Sequence, residues 1–150
     1  MAYSYKSFNQ VVGEFASACN AHLAINTFAY GTADKIDATF QNVQYPYIFL
    51  RPLSSQGLQD NVRTLTFEMY SLDIPKLTDT DYLGVMADTE QYVYDIVSYF
   101  RDGANQQTEW VDLVNITPVN EAFNDRVFGW VATINHRMEG VYNYCEYPQV

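Results

Sequence analysis

The stretch "QYPYIFLRP", residues 44–52, sets two prolines around Tyr47, Ile48, Phe49 and Leu50, with a single charge, Arg51, at the end of the run. Proline lacks an N–H, fixes its own φ and pushes the preceding residue towards extended backbone. It is tolerated at the first residue of a strand and excluded from the middle of a central one. The run therefore predicts a short strand that begins after Pro46 and stops at Pro52. On this reading the bracketed run is a short strand with enforced ends that seeds a sheet.

The segments around it supply the rest of that sheet. "SSQGLQDN" carries turn residues Ser54, Ser55, Gly57, Asp60 and Asn61. After it, "VRTLTFEMYSLDIP" alternates, with Leu65, Phe67 and Met69 on one side and Thr64, Thr66 and Glu68 on the other. "TEWVDLVNITP" sets Trp110, Asp112, Val114 and Ile116 against Val111, Leu113 and Asn115. "NDRVFGWVATINHRM" sets Phe128, Trp130, Ala132 and Ile134 against Val127, Val131 and Thr133, with "VNEAFN" as the loop between these two strands. Gly129, inside the last strand, signals close approach by a neighbouring side chain.

Two segments have helical spacing. Near the N-terminus, Phe8, Val11, Val12, Phe15, Ala18, Cys19 and Leu23 recur at three- and four-residue steps, with Ser4 or Ser7 as cap. Later, Tyr82, Met86, Val93, Ile96, Val97 and Phe100 form an apolar stripe capped by Thr78 or Asp79 and stopped by Gly103. Between the first helix and Pro46, a strand-like aromatic piece around Phe28 to Tyr30 leads into Gly31 and a polar stretch. A connection this long is expected to be functional, here an inter-subunit arm over residues 27–43. Asp34, Lys35 and Asp37 are then its solvated charges, facing a neighbouring subunit or a channel. The expected fold is α+β: two layers, an antiparallel sheet of about four main strands packed by two helices in the order αββαββ. Residues 1–150 form a single domain, a length that supports its own core.

Charge and chemistry narrow the function classes. With 8 Lys plus Arg against 18 Asp plus Glu, the net charge is −10. That balance argues against gripping nucleic acid, where neutralisation of phosphates supplies most of the affinity, or an anionic membrane. It suits a wall past which DNA slides. Thirteen tyrosines offer rigid rings with polar tips, suited to surfaces that meet a partner. No stretch is apolar enough for a membrane span, and "MAYSYKSFNQ" lacks the layout of a secretion signal. Cys19 and Cys145 read as reduced thiols.

Catalytic motifs are missing. His22 and His136 stand near no GxSxG elbow. Asp79 and Asp81 fit a helix start rather than a calcium loop. The glycines are scattered singly, without the clustered phosphate-loop pattern. Neither catalysis nor a cofactor is expected.

The order of motifs resembles the tail-terminator and neck-ring (head–tail connector) proteins of tailed bacteriophages, with features of crAss-like phage relatives. The resemblance rests on "YPYIFLRP", the turn and long strand "LTFEMYSLDI" after it, the aspartate-started helix, "NDRVFGW" and "YCEYP". It covers residues 43–148 and departs over residues 27–43. It implies an α+β subunit, made in the host cytoplasm and carried in the virion. Copies form a homo-oligomeric ring between portal, neck and tail proteins, six-fold or twelve-fold, through which genomic DNA passes non-specifically. Tyr45, Pro46, Tyr47, Gly129 and Trp130 match as fold-determining positions. The alternative is a small-molecule or peptide-binding α+β domain with residues 45–49 lining a pocket, and burial of Tyr47 and Phe49 discriminates the two.

Overall fold

The computed structural model describes residues 6–32, 44–58, 61–75, 81–103, 109–122 and 127–140. In chain order these form α1 (Phe8–Ala21), β1 (Thr27–Tyr30), β2 (Tyr47–Leu58), β3 (Val62–Asp73), α2 (Asp81–Gly103), β4 (Glu109–Ala122) and β5 (Val127–Glu139). The class is α+β, as expected, but the sheet has five strands in the order β1-β2-β3-β5-β4. It is mixed, because β1 runs parallel to β2 while every other pairing is antiparallel. The aromatic piece at residues 27–30 is thus an edge strand. The segment read as an inter-subunit arm begins inside the sheet, and its residues 33–43 lie outside the described residues.

Helix α1 starts as its sequence dictates. The Ser7 hydroxyl accepts from Gln10 N at 3.3 Å and the Gln10 side chain accepts from Ser7 N at 2.7 Å, a reciprocal cap. Its buried face is Val11, Val12, Phe15, Ala18 and Cys19. Phe8 and Leu23, expected on that face, are exposed, and Leu23 lies beyond the helix end. From α2, Val93, Ile96, Val97 and Phe100 join the same core, where the two helices meet Ile48, Leu50, Leu65, Phe67, Met69, Val111, Ala132 and Ile134 of the sheet. Two sheet side chains tie α2 down further. Trp130 Nε1 donates to the Met86 carbonyl at 2.8 Å, and the Ser71 hydroxyl donates to the Thr89 carbonyl at 2.8 Å.

Three expectations are corrected by the register. First, Pro52 does not stop β2, which runs on through Ser54, Ser55 and Gly57, the residues read as a turn, to Leu58. The reason lies in the direction of the backbone groups. Leu50 O accepts from Gly31 N on the β1 side, so the polar groups of residue 50, and two residues on those of residue 52, point outward. β1 ends at Tyr30, opposite Leu50. Pro52 therefore withholds its missing donor from an edge rather than from the ladder with β3.

Second, β4 continues to Ala122, through residues read as loop, and its alternation breaks at Val114, where the register shifts between Leu113 and Asn115. The extra residue flips the parity, so Val111, Leu113 and Ile116 share the core face instead of Ile116 falling with Trp110. Third, the close approach at Gly129 is made by backbone. A Cβ there would stand 1.9 Å from the Ser71 carbonyl oxygen.

Gly129→Ala must therefore push β5 off β3 or rotate the strand. A loss of about 3 kcal/mol or more is expected, read as a lowered urea midpoint. Gly13→Ala, on an exposed helix position with open space around it, is expected to stabilise by up to about 1 kcal/mol.

Candidate functional site

The residues singled out around Pro46 divide between two environments. Tyr47 and Phe49 are fully buried on the sheet face opposite the helices, in a cluster with Leu72 and Val127. Among the described residues, neither ring lines the groove beside Tyr45 or the one between α1 and β1. Tyr45 and Pro46 are half-buried and border an open groove of about 450 Å³ with Asn26, Asp73, Asp88 and Tyr92. This entry to β2 is held against β1: Asn26 Nδ2 donates to Tyr45 O at 2.6 Å and Asn26 N to Pro46 O at 3.0 Å. Gly129 shares a rung with Tyr47 through Leu72, since Tyr47 pairs with Leu72 and Leu72 with Gly129. Trp130 is one residue on and points the other way, to α2. The five positions are thus packing residues at one end of the sheet. Asp34, Lys35 and Asp37 lie outside the described residues.

The titratable residues form two sets. At the end of α1, His22 Nε2 bonds Asp95 at 2.8 Å, while its Nδ1 accepts from Ala24 N at 3.1 Å. The backbone donor at Nδ1 places the ring proton on Nε2. Burial pushes the Asp95 carboxyl up, but hydrogen bonds from Gln91 and His22 outweigh it and hold the group below its usual range. The pair links α1 to α2.

The second set was not legible in the sequence. Glu109, at the start of β4, and His136, on β5, are both buried, with Nε2 and Oε1 2.7 Å apart. Lys6 bonds the other Glu109 oxygen at 2.6 Å and also meets Glu14 of α1. His136 Nδ1 is buried without a hydrogen-bond partner. Burial pushes His136 below the usual imidazole value, against the pull of Glu109. For Glu109, burial pushes up, and hydrogen bonds from Lys6 and His136 overcome it and hold the carboxyl low. For Lys6, burial pulls down while Glu109 and Glu14 raise it. The set ties the chain before α1 to the sheet. No groove described here opens onto His136, so the geometry suits a structural clasp. Cys19 is a free thiol, which burial pushes up to about 12; Cys145 lies outside the described residues.

Among the described residues no three His, Cys, Asp or Glu side chains are grouped to hold a metal ion, and no helix is long and apolar enough to cross a membrane. A second open groove, about 610 Å³, runs between α1 and β1 and is lined by Phe8, Val12, Phe28 and Tyr30 among others. No family model and no curated protein matches the chain.

The remaining candidate surface is the pair of sheet edges. Past Tyr30, β2 has no described neighbour on its outer side, and residues 52–57 are exposed. At the far end, β4 has no described neighbour beyond it, and Val114, Asn115, Thr117 and Pro118 are exposed. Residues 52–59 and 113–120 contain no Asp, Glu, Lys or Arg. Sequence reading did not single them out, because residues 15–33 and 38–50 are longer charge-free runs and only the strand order places 52–59 and 113–120 at edges.

The clasp makes stability pH-dependent with a defined sign. The folded pKa of His136 lies below its usual 6.5, so its contribution is complete above 6.5 and is lost as pH falls through the folded value. Glu109 adds the same sign in a lower window, beginning at its usual 4.5. Urea midpoints are expected to fall from pH 7.5 towards pH 5, with an imidazole resonance titrating below the usual value. Glu109→Ala strands the His136 N–H and is expected to cost about 3 kcal/mol. Glu14→Ala, at the half-exposed end of the set, should cost under about 1 kcal/mol.

Proposed function

We propose that this protein is a structural virion subunit of a tailed phage, a tail terminator or head–tail connector. In this reading its copies close into a ring in the neck or tail and genomic DNA passes through. The observation that carries the reading is the pair of charge-free edges at opposite ends of the sheet, on β2 and on β4.

A net charge of −10 opposes association of copies, and a contact through uncharged edges adds no close like-charge pairs to that repulsion. Two different charge-free patches on opposite sides support a heterologous, head-to-tail contact. Such contacts make a ring when the rotation closes. The phage assignment is supported by the motif order from residues 45–52 to 124–130 and by the acidity of the chain, which suits passage of a polyanion without adhesion. Neighbouring portal, neck or tail proteins would stack above and below, and the ring itself needs neither catalysis nor a cofactor.

The purified protein, alone or mixed with the adjoining neck components, is expected to give ring-shaped particles under the electron microscope and a closed oligomer mass in light scattering. It should leave duplex DNA unshifted on a native gel. A chain that stays monomeric and binds no neck component overturns the reading.

A further inference from the structure

The two edges share a detail that ring formation by itself does not require. On β2 the register shifts between Pro52 and Ser54, so Leu53 has no residue opposite it on β3. On β4 it shifts between Leu113 and Asn115, so Val114 has none opposite it on β5. A bulge re-aims the extra side chain and interrupts the ladder. Both residues released in this way are apolar and exposed, Leu53 at 44% and Val114 at 56%. Ser54 and Asn115, next to them, are polar.

Their level on the sheet also matches. Pro52 pairs with Phe67, Phe67 with Ile134 and Ile134 with Leu113, a single rung from one edge to the other. Leu53 and Val114 each follow directly on an end of that rung. β2 and β4 run in opposite directions, so the two residues sit a step to either side of it, within about 7 Å along the strands. A copy moved sideways across the strands therefore brings its Val114 to the Leu53 of its neighbour with little shift along them. Rotation with little rise closes a ring, whereas a large rise gives a filament.

We propose that Leu53 of each copy packs against Val114 of the next, forming the apolar centre of the subunit joint; this rests on the ring reading above. The joint is made by side chains rather than by a continued sheet. Pro52 withholds an outward donor, and a bulge at each edge breaks the repeat that an added strand would follow. The partner is a second copy of this chain, since an exposed apolar residue stands at the same level on each of two opposite uncharged edges of one molecule.

Cysteine cross-linking tests the contact in a Cys145→Ser background, where the remaining thiol, Cys19, is buried. The double variant Leu53→Cys with Val114→Cys is expected to oxidise into a covalent ladder extending to the full ring. A mixture of the two single variants should stop at covalent dimers. Leu53→Asp and Val114→Asp are each expected to raise the concentration for half-assembly at least tenfold, with unchanged circular dichroism. Where an aspartate variant fails to fold, the cross-links decide.

A ring that survives both aspartates and yields no cross-link overturns this contact and leaves the ring reading standing. Covalent dimers from Leu53→Cys alone also overturn it, because like edges would then be meeting. A wild-type chain that remains monomeric with neck components present overturns both.

Discussion

Beside Ser71, β5 has no room for a side chain, because a Cβ on Gly129 would overlap the Ser71 carbonyl oxygen. That single close approach locks the register of the two central strands, since sliding either one would bring a side chain to the same place. Side chains alternate with a period of two, so a one-residue slip would turn every β5 residue to the wrong face. With the register fixed, Phe128 and Trp130 meet α2, Ile134 meets the core under α1, and His136 comes level with Val111 beside Glu109. The clasp at Lys6 and the rung joining the two edges both follow from it.

The centre and the margins of the sheet obey different rules. In the centre, polar groups are few and most find partners: Ser71 and Trp130 spend their donors on helix carbonyls, and Glu109 is satisfied from two sides, while His136 Nδ1 and Thr64 Oγ1 are buried without a partner. At the margins the sequence is uncharged and mixes polar with apolar residues, with a proline on each side, one bulge on β2 and two on β4. Free edges invite uncontrolled pairing, and prolines and bulges are the common protection against it. An edge so protected still presents side chains. It can meet a specific partner while refusing an arbitrary strand.

How much of this was legible in the sequence depended on how local the cause was. Helix α1, its Ser7 cap, and strands β3 and β5 announce themselves through periodicity, which a window of a dozen residues holds. The tail of β2 did not, because serine, glutamine, glycine and proline look like a turn unless the strand is known to lie at an edge. β4 was placed on the wrong parity after Val114, since a bulge leaves no mark in the residue pattern. β1 was visible as an aromatic piece, but its parallel pairing is set by residues beyond it in the chain. The Glu109–His136 pair carried no signal, as its members are far apart in sequence and depend on the β4–β5 register. The charge-free runs were readable, but their meaning required the strand order.

Cys19 sits on the buried face of α1 with its thiol sealed from solvent. A sulfhydryl in that position reacts only when the helix that carries it lifts off the sheet. In a chain whose other cysteine has been replaced, the rate of labelling is therefore a clock for the breathing of the N-terminal layer. That clock would run independently of whatever happens at the rims of the sheet.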